Sequence, residues 1–410
     1  MTPEADADVR VLYSFPHRVG APGIGITALN QVRGLAAAGA KVTLICTSLH
    51  GDVPASVDVR ETLRIRGRRI PHRAFGSPDL ALVYHDHWVA RSLRRSADDF
   101  DVVHTWPQSA LATLQAARAV GCLSSREVPN AHTAEAYEQA AVESDILGVE
   151  LKRGHSHRPN PRRLHLEQRE YDAVDLLMVP SRHVEATFLA RGYGASRLAR
   201  HQYGFDPTRF GPEGRADRPE RPFTGVFVGS AEPRKGLHYV LRAWSKADLP
   251  PTSRLLVAGA FASGYREAIA DLIDRPWVET LGFISDVPAL LRQSDALLLP
   301  SVEEGSALVT YEAQACGSIP IVSSAAGALL PPSMHAYVHE PRDVETLTRH
   351  LHVIGNDEAL RSRLRADILG WSPRLTWDAA GRRMLDIYRS RLHPEHLGVS
   401  DSGATDPGRS

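Results

Sequence analysis

Cysteine is scarce in this 410-residue chain: Cys46, Cys122 and Cys316 lie far apart and form no CxxC pair. A disulfide framework is therefore not expected. The apolar or small-residue runs around Cys46 and Cys316 predict buried free thiols, which fits a reducing cytoplasm. Charge of one sign is also lacking, since Lys plus Arg and Asp plus Glu number 48 each. A balanced chain gives no general reason to expect nucleic acid or an anionic membrane as partner. No run of about eighteen uncharged apolar residues is present, so no transmembrane segment is expected, and only peripheral membrane contact stays open. The acidic stretch Met1 to Asp8 has no apolar core of a signal peptide, which again predicts a cytoplasmic protein. HExxH, a Walker loop and G-x-S-x-G are all missing. The DxD triplets Asp6-Ala7-Asp8 and Asp99-Phe100-Asp101 fall in a terminal tail and at a strand entry, neither the setting of a metal site. What remains is 43% hydrophobic and 23% charged, a globular composition on a chain too long for one core. Two domains are the natural expectation.

Strand and helix patterns alternate in both halves. Val9 to Ser14 reads as a strand, Pro16 to Gly25 as a loop with three glycines, Ile26 to Ala38 as a helix capped by Gly39, and Lys41 to Cys46 as the next strand. This is a βαβ unit with a Gly-rich turn at the carboxyl end of its first strand, where open parallel sheets bind ligands. Asp101 to His104 and Asp175 to Ser181 add strands, with a weak one around Arg126 to Val128. A second series begins at Gly225 to Gly229 and continues through Arg254 to Gly259, Val278 to Leu281, Ala296 to Pro300 and Ile319 to Val322. The pattern predicts an α/β protein of two Rossmann-like, doubly wound domains. The expected division is 1–205, 206–376, a closing helix 377–392 and a disordered tail 393–410.

Chemistry concentrates in Pro300 to Pro320 (PSVEEGSALVTYEAQACGSIP). A strand ends at Pro300, an acidic loop follows, and Gly305 marks entry to a helix running to Cys316. The free N–H groups of Ser306, Ala307 and Leu308 then suit a diphosphate. Glu304 at the loop mouth and Glu312 two turns into the helix would accept hydrogen bonds from sugar and ribose hydroxyls. The plainer readings are a helix-dipole acid for Glu304 and a solvated face for Glu312, but Glu312 lies amid Val309, Tyr311, Ala313 and Ala315.

The segment from Pro300 through Glu304-Gly305 and Glu312-Ala313 to Gly317 resembles the E-x7-E signature of retaining glycosyltransferases of the GT-B fold, family 4. The resemblance implies two Rossmann-like domains facing across a cleft, the second holding a nucleotide-diphosphate sugar and the first an acceptor. It puts Glu304 by the donor sugar and Glu312 on the ribose. Ser306-Ala307 stands where the family commonly has Phe-Gly. Gly229-Ser230 with Arg234-Lys235-Gly236 resembles the family's phosphate-binding loop, with Ser230 in place of an arginine. Arg234 and Lys235 would stabilise the leaving diphosphate without a metal or cofactor; standing alone, they would read as solvated loop cations. His132 in Asn130-Ala131-His132-Thr133 resembles the family's strand-end histidine near the transferring sugar, and a structural role is the equal alternative. Gly23 and Gly25 resemble the glycine-rich loop near the donor phosphate, and Gly282-Phe283 the turn that receives the base. UDP is expected ahead of GDP on family frequency alone.

The acceptor, whether small molecule, glycan or lipid-linked, is not legible. A related phosphorylase, a nucleotide-sugar epimerase or a non-catalytic two-lobed binder are the alternatives. The basic segment Leu151 to His165 reads as a mobile solvated loop in preference to an acceptor or lipid contact, and its His155 and His157 have no carboxylate nearby in sequence that would make a metal site.

Overall fold

The computed structural model describes residues 8–65, 68–70, 72–215 and 222–394. Two parallel sheets carry the architecture. The first has strands β1 (Arg10–Val19), β2 (Lys41–Leu49), β3 (Asp58–Glu61), β6 (Val102–Thr105), β7 (Leu123–Glu127), β8 (Leu176–Val179) and β9 (Leu198–Arg200), in the order β3-β2-β1-β6-β7-β8-β9. A small hairpin, β4 (Arg64–Ile65) with β5 (Arg68–Arg69), stands apart from it. The second sheet has β10 (Thr224–Val228), β11 (Arg254–Ala258), β12 (Val278–Gly282), β13 (Ala296–Leu299), β14 (Ile319–Ser323) and β15 (Val338–His339), ordered β12-β11-β10-β13-β14-β15. Its central strands are mainly apolar, as expected of a parallel sheet covered on both faces: Phe227, Leu255, Val257, Leu298, Ile319 and Ile321 are all buried.

The chain forms two compact units. One comprises the chain up to Arg126, Glu170–Leu176 and the chain from Ala380; the other comprises Glu127–Arg169 and Leu177–Ala379. In the first unit the final helix Trp377–Leu392 meets the helix Ile24–Ala37 at a point of close backbone approach. A Cβ on Gly381 would fall 2.1 Å from the Gly34 carbonyl, so only glycine fits there. The turn after β1 also depends on glycine: Gly23 caps the helix with φ +84, and a Cβ on Gly25 would sit 2.6 Å from the Arg18 carbonyl.

Several boundaries differ from the sequence reading. β1 continues through Pro16 to Val19 where a loop was expected. Proline has no N–H for the ladder, and the register with β2 shifts between Phe15 and Arg18 without ending the strand. The expected helix from Tyr265 to Ile273 is two short ones, Tyr265–Ala268 and Ala270–Ile273. Residues 395–410 of the expected tail, and 216–221 shortly after the expected division at 205/206, lie outside the described residues.

Candidate active site

The second unit carries nearly every residue singled out above. Its strand order reverses between β10 and β13, which pair in parallel through Gly225 with Ala296 and Val226 with Leu297. Ligands of doubly wound sheets bind at the carboxyl ends of such a pair. The loop after β10 holds Gly229, Ser230, Arg234 and Lys235; the loop after β13 holds Glu303, Glu304, Gly305, Ser306 and Ala307. Gly236, with φ +73, lets the loops touch, since a Cβ there would lie 2.3 Å from the Pro300 carbonyl. The N–H of Val302 then donates to the Arg234 carbonyl at 2.8 Å.

Arg234 is held by carboxylates on several sides. Its Nη2 lies 2.9 Å from Glu232 Oε1, and its Nη1 lies 3.4 Å from both Glu303 Oε2 and Glu304 Oε2. Nη1 also donates to the Glu303 carbonyl at 2.8 Å. Lys235 Nζ contacts Glu304 Oε1, and Ser301 Oγ donates to the same oxygen at 3.3 Å. Burial, reinforced by the neighbouring Arg234 guanidinium, pushes the Lys235 ammonium down to about 7. Burial alone would raise Glu303, but His157 and Arg234 overcome it and hold that carboxyl down to about 2.

The helix expected from Gly305 begins only at Leu308 and runs to Ala315. The loop ahead of it is fastened in another way. Ala307 N–H donates to the Ala326 carbonyl at 3.1 Å, so it is not free for a phosphate as expected. Ser306 Oγ donates to the Gly327 carbonyl at 2.7 Å and lies 2.8 Å from Tyr311 Oη. Gly305 allows the closest approach: a Cβ would fall 1.8 Å from the Pro129 carbonyl, and the Gly305 carbonyl accepts from Ser181 Oγ at 2.6 Å. Glu312 is partly buried on the helix. Burial, opposed by Arg209, raises its carboxyl to about 7. Gly282 turns at φ +64 and leaves Phe283 86% exposed.

His132 has a visible structural task. It is the N-cap of the helix Thr133–Leu147, its Nδ1 accepting from Ala134 N–H at 3.2 Å, and its ring packs against Phe188 and Tyr193. Gly23 and Gly25 belong to the first unit and are described there.

The sequence reading gave no role to Glu232 or Glu303 and set His155 and His157 aside. The segment expected to be a solvated loop is fixed instead. His157 Nε2 lies 3.0 Å from Glu303 Oε2, and His155 Nε2 lies 3.0 Å from Glu232 Oε2. His157 is 5% exposed. The His-x-His spacing and the doubled Glu303-Glu304 were the available signals, but nothing in one sequence links them across such a separation. Among the described residues no group of three or more His, Cys, Asp or Glu is arranged to hold a metal ion, and no helix is long and apolar enough to cross a membrane.

Comparison with known proteins bears on the family and the fold. Residues 22–209 match the profile described as Glycosyltransferase Family 4, and residues 222–368 that of Glycosyl transferases group 1. D-inositol 3-phosphate glycosyltransferases of Xylanimonas cellulosilytica and Thermobifida fusca are each 27% identical to this chain. The first match covers 90% of this chain and 91% of the relative, the second 92% and 91%. Among solved structures, Anabaena HepE in complex with UDP superposes with a TM-score of 0.62 at 15% identity, covering 93% of this chain and 100% of that one. Sucrose-phosphate synthase of Thermosynechococcus elongatus gives 0.64 at 18%, covering 94% and 100%. The fold is therefore GT-B, the two-sheet α/β architecture of nucleotide-sugar-dependent glycosyltransferases. The chain belongs to the group 1, family 4 glycosyltransferases.

Proposed function

We propose that this glycosyltransferase transfers a hexosyl group from a UDP-linked sugar with retention of anomeric configuration and without a metal ion. The observation that carries the reading is the pairing of Arg234 and Lys235 with the β13 loop at the switch point of the second sheet. Cations on a pre-formed loop stabilise the charge that develops on a departing diphosphate, which is the task a metal would otherwise perform. Gly229 and Ser230 shape that loop, while Gly305, Ser306, Ala307 and Leu308 bring backbone to the same end of the sheet. Glu304 accepts from a sugar hydroxyl and Glu312 from the ribose. Phe283, exposed beside Gly282, gives the base a face to stack on.

In the reaction, the acceptor hydroxyl forms the new bond to the anomeric carbon as the bond to the diphosphate breaks. The acceptor proton passes to the leaving phosphate oxygen. His132 lies near the reacting sugar in this reading, and Gly23 and Gly25 of the 1–205 domain near the donor phosphate, with 206–376 as the donor domain. UDP is favoured by its presence in the HepE complex, and a cyclitol phosphate is the first acceptor to try because the full-length relatives carry that name. On this reading the enzyme works in the cytoplasm, a compartment that suits its three free cysteines.

The test is incubation with a panel of UDP- and GDP-sugars and inositol 3-phosphate in EDTA. Product anomers are read by NMR and nucleotide release by chromatography. Release of UDP with a retained anomer supports the reading. Dependence on added metal, an inverted product, or epimerised or phosphorolysed sugar would refute it.

A further inference from the structure

The two cations of the proposed donor site are already spent. Arg234 faces Glu232, Glu303 and Glu304, and Lys235 faces Glu304. Even with both side chains fully charged, three carboxylates leave one net negative charge before any substrate arrives, and the lowered Lys235 ammonium deepens the deficit. A nucleotide diphosphate adds more negative charge to a cluster whose three carboxylates are buried and whose two cations are half-buried. Bringing like charges into such a place is costly. Positive charge must be gained somewhere, or the diphosphate will not stay.

The segment 151–160 supplies a group able to gain it, His157. It is held in one shape by its own bonds: Arg158 Nη1 donates to the Leu151 carbonyl at 3.2 Å, and Arg163 Nη1 to the Ser156 carbonyl at 3.1 Å. Arg163 is anchored through Glu167 to Thr133, at 2.7 Å for each bond. This frame sets His157 on Glu303 and His155 on Glu232, the two carboxylates that Arg234 would relinquish on turning toward a phosphate. The Glu303 carboxylate is further fixed by Ala131 N–H at 3.1 Å, so it cannot follow Arg234 away.

We propose, resting on the donor reading above, that His157 is a positioning residue of the donor site that takes up a proton when a nucleoside diphosphate binds. It then replaces Arg234 as the counter-charge of Glu303, and the freed guanidinium holds the diphosphate. The groups facing His157 are Glu303, Glu232, Arg234 and the His155 ring 5.6 Å away, with Ser156 Oγ 3.0 Å from its Nδ1. Burial is the main influence keeping His157 neutral in the free protein, and Arg234 adds to it while Glu303 opposes. Withdrawal of Arg234 removes one of the two influences that disfavour the imidazolium and leaves Glu303 and Glu232, which favour it.

The experiment is calorimetric titration of UDP, with GDP in parallel, into the full chain at pH 7.5 in EDTA, repeated in buffers of different ionisation enthalpy. The slope against buffer enthalpy gives protons exchanged. Expected is an uptake approaching about one proton per nucleotide, falling by about half or more in both His157→Gln and Glu303→Gln. These variants remove the proton acceptor and the charge that demands it, so either alone keeps the test alive if the other fails to fold. Wild-type uptake retained in a folded variant would overturn the proposal and assign the protons to Lys235. Absence of binding by UDP and GDP alike would overturn the donor reading, and this proposal with it.

Discussion

The hydroxyl of Ser306 lies 2.8 Å from that of Tyr311, and both are buried. This bond ties the loop that presents Glu304 to the helix that presents Glu312. Ser306 also donates to Gly327, so a residue that departs from the common family form has its own fastening role. Removing it in Ser306→Ala leaves the Gly327 carbonyl and the Tyr311 hydroxyl without that partner, at a cost of about 1–3 kcal/mol. Thermal denaturation should show a fall of several degrees, with donor KM raised more than kcat is lowered. An unchanged melting point would remove this role.

Gly305 allows the Pro129 carbonyl to come where a side chain would stand. Gly305→Ala must push apart the β13 loop and the segment leading to His132. The expected outcome is destabilisation on the order of 1–3 kcal/mol together with weakened nucleotide binding, both measurable by thermal shift with and without UDP. A stable variant with wild-type affinity would contradict the close packing.

Glu312 gives a pH signature of definite sign. Its carboxyl is raised from 4.5 to about 7 by burial, so the folded state binds a proton that the unfolded state lacks between those values. Stability is greatest below that window and declines as pH rises through about 7, by on the order of 1–3 kcal/mol once partial exposure is discounted. If Glu312 accepts from the ribose as proposed above, binding needs the carboxylate, and nucleotide affinity should fall as pH drops below about 7. In Glu312→Gln both dependences should flatten, while affinity at pH 8 falls. Urea unfolding and nucleotide titration from pH 5 to pH 8.5 check the two together.

The sheets were legible because parallel strands covered on both faces are continuous apolar runs, such as Ala296 to Leu299, bounded by Pro or Gly. The E-x7-E segment was legible because its spacing is local. The helix start at Leu308 was not, because what delays it is Ala326, nineteen positions beyond Ala307 in the chain and bonded to its N–H. Leu151 to His165 was read as solvated because its composition is basic and nearly without apolar residues, yet from Pro161 on it is helix. Its order comes instead from carboxylates at Glu232 and Glu303, supplied by distant loops, and local composition carries no trace of such pairing.

The central claim is that Arg234 and Lys235 stabilise a departing nucleoside diphosphate. The most direct measurement is the rate of nucleoside diphosphate release from the preferred nucleotide sugar by wild type and by Lys235→Ala, with folding verified by circular dichroism. The account predicts a loss of kcat of about 100-fold or more. Full turnover by a folded Lys235→Ala enzyme would contradict it.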